Sequence, residues 1–335
     1  MNRKDLGLLV LILVIGTVVA LINPRFLSPV NLSNTANLIG LFGIFALGQA
    51  FVIVSGGIDL SVGSVIALLG VIFIDLVAGD TMPWPAAMIV VTALGCLMGL
   101  VHGFLVTRMG LPPFVVTLCG LLVYRGIARY YTDDATAGFP FGATFPWLEW
   151  VLAGRFYGVP HSLIMFTLLA GATALVLHRS VFGRHLFAVG KNAEAARYSG
   201  LNEARITIAA YVICCGLTAV AAVFIAMYTR SISPSSHGNF YELYAIAAAV
   251  LGGCSLRGGE GSILGVALGT VLLQVLQNLV NLLGIPSSLN FAVMGSVILI
   301  GVLADRQLTR RRTQRAYLDP SARKQGSKVD GFKVT

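Results

Sequence analysis

The sequence predicts an all-α fold: a polytopic transmembrane helical bundle of about ten spans, with a short cytoplasmic helix in its largest inside loop. Three observations lead there. Of 335 residues, 56% are hydrophobic and 11% charged, against roughly a quarter charged in soluble domains. The 38 glycines and a mean hydropathy of +0.84 suit helices that approach one another closely and break at cavities. Apolar runs of spanning length, about 20 residues each, recur between Pro, Gly, Asn or charged residues.

Those runs place spans at 6–22, 36–54, 61–78, 85–107, 113–131, 161–178, 207–229, 241–255, 262–283 and 289–304. Arg3 and Lys4 ahead of an apolar stretch, with Val18-Val19-Ala20 behind it, could pass for a signal peptide. The stretch is long for one and is read as a retained first span. With the N-terminus inside, ten spans return the C-terminus to the cytoplasm. Inside segments then hold Arg3, Lys4, Arg108, Arg179, Arg184, Lys191, Arg197, Arg205, Arg257 and the tail, and outside segments hold Arg25, Arg155 and Arg230. That is the positive-inside bias. The outer stretch 132–160, with Trp147, Trp150 and Tyr157, suits an interfacial segment. Residues 305–335 carry nine Lys/Arg and three Asp, which is +6 of the net +9. They read as a solvated basic tail that fixes topology or touches membrane lipid, and nothing elsewhere suggests nucleic acid.

Gly95, Gly99 and Gly103 fall on one face of the fourth span, and Gly265 and Gly269 repeat the spacing in the ninth, so each face admits a close neighbour. Two Gly-rich segments interrupt apolar runs. One carries Gly56, Gly57, Asp59, Ser61, Gly63 and Ser64; the other runs from Leu251-Gly252-Gly253 to Gly258-Gly259-Glu260-Gly261-Ser262. Neither ends in the Gly-Lys-Ser/Thr of a phosphate loop, so this chain should not hydrolyse ATP. They read as helix breaks, with Asp59, Ser61 and Ser64 capping the next helix or, alternatively, facing a solute.

Between the sixth and seventh spans, Asn192 is a good N-cap, Ala193–Tyr198 favour helix and Gly200 is a good stop, which gives a short helix and a natural docking knob. In the ninth span Gln274, Asn278 and Asn281 share a face, either bonding a neighbouring helix or lining a watery path. Arg125, inside the fifth span, needs a partner or water. The five cysteines sit in or beside apolar runs without metal-ligand spacing, so they read as packing residues and no metal is expected.

Together these segments resemble the ribose/xylose/arabinose-type permeases of ABC importers. The resemblance covers about residues 30–305. It rests on Gly-Gly-Ile-Asp-Leu-Ser-Val-Gly-Ser at 56–64, Tyr-Arg-Gly at 124–126, Gly-Lys-Asn-Ala-Glu-Ala-Ala-Arg-Tyr-Ser-Gly at 190–200, the segment 251–262 and Asn278-Leu279-Val280-Asn281-Leu282-Leu283-Gly284. It implies a permease domain over 1–305 followed by a cytoplasmic tail over 306–335, expected to be disordered. It further implies a homo- or heterodimer in the bacterial inner membrane that takes a monosaccharide from an external binding protein. A separate cytoplasmic ATPase would bind ATP and Mg, with no cofactor in this chain. Gly190, Asn192, Glu194, Ala195, Ala196, Arg197 and Gly200 then belong to the helix that couples to the ATPase. Tyr244 departs from the family, which often has Asp there.

Two rival classes are weaker. A secondary transporter usually needs buried carboxylates, and the predicted spans hold only Asp75 and Glu242, both near their ends. An intramembrane hydrolase would need Ser64 beside His102 as nucleophile and base.

Overall fold

A computed structural model describes residues 3–286 together with 289, 292, 295, 296 and 299. Most of the predicted tenth span, and the tail over 306–335, lie outside the described residues. The chain divides into two units, Met1–Ile285 and Pro286–Thr335, and the architecture below is that of the first.

Twelve α-helices are described in it: α1 (Arg3–Ile22), α2 (Pro29–Val54), α3 (Val62–Ala78), α4 (Trp84–Thr107), α5 (Pro113–Tyr131), α6 (Pro146–Ala153), α7 (His161–Arg179), α8 (Val181–Lys191), α9 (Ala193–Tyr198), α10 (Glu203–Thr229), α11 (Tyr241–Leu251) and α12 (Ile263–Leu282). Two ribbons complete it, β1 (Ala137–Gly138) with β4 (Ser231–Ile232) and β2 (Arg155–Phe156) with β3 (Val159–Pro160). Six helices, α1, α2, α4, α7, α10 and α12, are long and apolar enough to cross a membrane. The protein is an all-α membrane bundle. Capping fixes several starts: Ser28, Ser180, Asn192, Asn202 and Ser262 each accept a backbone N–H from the first turn of the helix they precede. The helix α8 was not expected; Phe182, Leu186 and Val189 give it an apolar face inside a segment read as loop.

The centre is formed by α2, α3, α10 and α11. Every residue from Gly43 to Val54 of α2 is buried, so this helix is apolar all round, as an inner helix must be. Outer helices keep large apolar side chains exposed, among them Leu21, Ile89, Leu122 and Leu168, a surface suited to lipid. The two glycine stripes meet different partners. A Cβ on Gly99 would lie 2.3 Å from the Tyr211 carbonyl oxygen of α10, and one on Gly269 would lie 2.2 Å from the Ala248 carbonyl oxygen of α11. The close approach read from spacing thus holds, with α10 and α11 as the neighbours.

Two elements are only part helix. Residues 55–61 run without regular structure into the 17-residue α3. Residues 233–240 lead likewise into the 11-residue α11. The two interrupted elements touch where Gly63 meets Gly238, and a Cβ on Gly63 would sit 1.9 Å from the Gly238 carbonyl oxygen. Irregular backbone within a membrane bundle is tolerated where protein or a cavity surrounds it, and here α2, α5 and α10 do so.

Candidate functional site: two packed knots and a buried polar core

The short capped helix and both Gly-rich segments converge at one end of the bundle. The Gly259 N–H donates to the Val54 carbonyl at 2.9 Å. Gly190 packs so tightly on Val54 and Gly259, and Gly258 on Gly56 and Gly190, that no Cβ fits at either. At Gly258 the backbone also has φ +82°, which a side chain would strain. On this base stands α9. Asn192 Oδ1 accepts the Ala195 N–H at 2.9 Å, Arg197 lies 3.7 Å from Glu203, and Gly200 closes the helix at φ +83°. Glu194, Ala195, Arg197 and Tyr198 are exposed. Ala196 is 4% exposed and turns inward, because a helix lying on a surface buries one stripe.

At the other end Arg125 of α5 donates to the carbonyls of Pro234 and His237 at 2.7 and 2.6 Å. The cation thereby finds partners without an acid, by satisfying exposed carbonyls of the irregular 233–240 stretch. His237 Nδ1 accepts the Ser233 N–H at 2.9 Å. A ring nitrogen that accepts a hydrogen bond carries no proton, so this bond fits a neutral imidazole. Arg230, at φ +60°, pairs with Glu149 of α6, and this bond holds the Glu149 carboxyl below the usual range.

The three amides read as sharing a face of α12 have different surroundings. Gln274 is 3% exposed and lines a small cleft with Phe42, Tyr244, Ala248, Thr270 and Leu273. Asn278 exchanges two hydrogen bonds with Asn31 of α2, at 2.8 and 3.1 Å. Asn281 is exposed. Aromatic rings gather beside the cleft, with Phe42 5.5 Å from Tyr244 and 4.8 Å from Tyr241 between ring centroids.

The sequence did not reveal a buried polar cluster between the break before α3, α4 and α10. Asp59, His102 and Cys215 are 0%, 2% and 1% exposed. Asp59 Oδ1 accepts from the Ser61 N–H at 2.8 Å and its hydroxyl at 2.6 Å. Ser61 therefore bonds the carboxylate and makes no side-chain cap for α3, contrary to expectation. Asp59 Oδ2 faces His102 Nδ1 at 3.8 Å and Cys215 Sγ at 3.5 Å. Ser64 donates to the Ser61 carbonyl, while His102 turns Nε2 to Tyr124 Oη at 3.0 Å. Nothing joins Ser64 to His102. A Cys-His-Asp hydrolase is also disfavoured, since acid and thiol face the same ring nitrogen, whereas a base relayed by an acid uses both. One signal was legible: His102 sits on the stripe of Gly99 and Gly103, so whichever helix filled that stripe had to pass it. Glu242, expected near a span end, is the second residue of α11 and is 8% exposed, since its carboxylate turns toward Gly63 of α3.

The comparisons give the family. A profile described as branched-chain amino acid transport system / permease component matches residues 31–302. The ribose import permease protein RbsC of Bacillus subtilis (strain 168) is 36% identical over 304 residues, 90% of this chain and 91% of its own length. That of Escherichia coli (strain K12) is 37% identical over 308 residues, 92% of this chain and 94% of its own. The xylose transport system permease protein XylH of the same strain is 32% identical over 343 residues, 85% of this chain and 87% of its own. No solved structure matches. With the profile covering most of the chain and such relatives spanning nearly all of it, this protein belongs to the family of transport-system permease components.

Proposed function

We propose that this chain is the membrane subunit of an ABC importer that passes a monosaccharide inward from an external binding protein, driven by a separate ATPase. The observation that carries the reading is the near full-length similarity to ribose and xylose permeases. Phe42, Tyr244 and Gln274 edge a cleft with room for about one water, so a sugar passes there only once the helices part; the aromatic faces would then meet its C–H surface and the amide its hydroxyls. In this reading Gln274 borders the path, with Asn278, Asn281 and Arg125 around it. The chain works as a dimer of about ten-span subunits in the inner membrane with both termini cytoplasmic. ATP and Mg are bound by the partner, which docks on the exposed side of α9.

Two of the three buried carboxylates among the described residues, Asp59 and Glu242, motivate a second reading, ion-coupled secondary transport. One experiment separates the two. The permease is reconstituted in liposomes with its ATPase and binding protein, and uptake of labelled ribose and xylose is followed. Import that requires ATP hydrolysis and the binding protein is expected. Uptake driven by an ion gradient in the permease alone would overturn the reading.

A further inference from the structure

We propose that Asp59, His102 and Cys215 form a binding site for a zinc-type divalent cation. Their ligand atoms converge: Oδ2 to Sγ is 3.5 Å, Oδ2 to Nδ1 is 3.8 Å and Sγ to Nδ1 is 3.9 Å. Around tetrahedral zinc, with N and O near 2.0–2.2 Å and S near 2.3 Å, ligand atoms lie about 3.3–3.7 Å apart. Shifts of a few tenths of an ångström would close these three onto an ion. At 3.8 Å the carboxylate and imidazole are too far apart for a hydrogen bond to each other; Oδ2 accepts only the Cys215 S–H, a weak donor at 3.5 Å, and an ion that replaced this proton would engage all three groups.

The surrounding groups orient the same three atoms. Ser61 occupies Oδ1 through its N–H and its hydroxyl, which leaves Oδ2 to the centre. Tyr124 occupies His102 Nε2, which leaves Nδ1. Outer bonds of this kind are what hold ligands in metal sites. Charge balance agrees: a carboxylate and a thiolate neutralise a divalent ion, so the buried site carries no net charge. Binding takes the thiol proton from Cys215 and releases it to solvent while the Cys215 sulfur–metal bond forms; nothing is oxidised or reduced. Carboxylate, imidazole and thiolate together suit zinc better than magnesium or calcium, which prefer oxygen. The fourth position falls to water. The ion would tie the break before α3 to α4 and α10, and this holds whether or not the transport reading does.

The full-length chain in nanodiscs, freed of any affinity tag, is dialysed against Zn2+ and separately against Co2+ as a spectroscopic probe. One equivalent of metal per chain is expected, with a sulfur-to-cobalt charge-transfer band. Cys215→Ser and His102→Gln should lose the band, whereas Cys214→Ser and Cys254→Ser, equally buried thiols, should keep it. Tyr124→Phe should weaken binding about 10–100-fold. Zinc-edge X-ray absorption of the unaltered protein needs no variant to fold and should show a sulfur neighbour. No metal retained, a shell of nitrogen and oxygen alone, or an unchanged band in Cys215→Ser would overturn the proposal.

Discussion

Gly63 lies against the irregular backbone of residues 233–240, where a methyl group would have to enter the Gly238 carbonyl at 1.9 Å and stand 2.8 Å from Glu242 Oε2. Backbone cannot swing aside as a side-chain tip can, so the interrupted elements would have to separate. Gly63→Ala should therefore destabilise the protein by about 1–3 kcal/mol, as overpacking of a tight interior does. Gly171→Ala is the control: nothing lies within 4 Å of its position on α7, and alanine there raises helix propensity by up to about 1 kcal/mol. Thermal unfolding in detergent should show a lower midpoint for the first and an equal or higher one for the second. Equal midpoints for Gly63→Ala and the unaltered protein would mean that the crossing is looser than described. Arg125 acts on the same crossing from α5, by donating to two backbone carbonyls. Its role depends on geometry as much as on charge, because a lysine presents one compact ammonium where arginine presents a planar fork.

At the scale of elements, α9 has an exposed side and a buried one, which can be tested separately. Its Glu194, Ala195 and Arg197 face solvent while Ala196 is buried beneath them. Enlarging Ala195 should leave the bundle intact and weaken ATPase docking roughly ten- to hundredfold, the effect of about 1–3 kcal/mol of overpacking at an interface. Glu194→Arg should slow association and make it more salt-sensitive. Enlarging Ala196 should instead lower the stability of the permease itself. Co-purification of the ATPase and substrate-stimulated ATP hydrolysis separate these outcomes; ordinary values for the Ala195 and Glu194 variants would place the contact elsewhere. This helix was legible from residues because its signals are local: a capping Asn192, a run of helix formers and a closing Gly200. The glycine stripe of α4 was legible for the same reason. Which helix filled it, and so which groups surround His102, depended on the register of α10 more than a hundred residues away, and no local pattern encodes that. Glu242 does lie at an end of its helix, the 11-residue α11, but its burial comes from facing Gly63, a contact between segments far apart in sequence that span counting does not see.

Across the whole molecule, the question is how many times the chain crosses. Six described helices are long and apolar enough to do so. The short α3 and α11 each continue an irregular stretch, and the 19 residues of α5 are less apolar because Arg125 and Arg129 interrupt them. Counting these three as crossings gives nine, and the apolar run at 289–304 would make ten. The parity has a physical consequence, since an even count puts the basic tail on the side of Arg3 and Lys4, where anionic lipid and the positive-inside bias favour it. It also puts α9 on that side, where an ATPase could reach it, and the Asp133-Asp134 turn on the other. Single cysteines at Ser199 and Asp134, both exposed, in a background with Cys119, the exposed native thiol, replaced, should therefore label oppositely. An impermeant thiol reagent added to intact cells should reach Asp134→Cys but reach Ser199→Cys only after the membrane is opened. A reporter fused after Thr335 should be active only inside. Labelling of both cysteines from outside, or a C-terminal reporter active only outside, would remove the ten-span arrangement and with it the docking of an ATPase on α9.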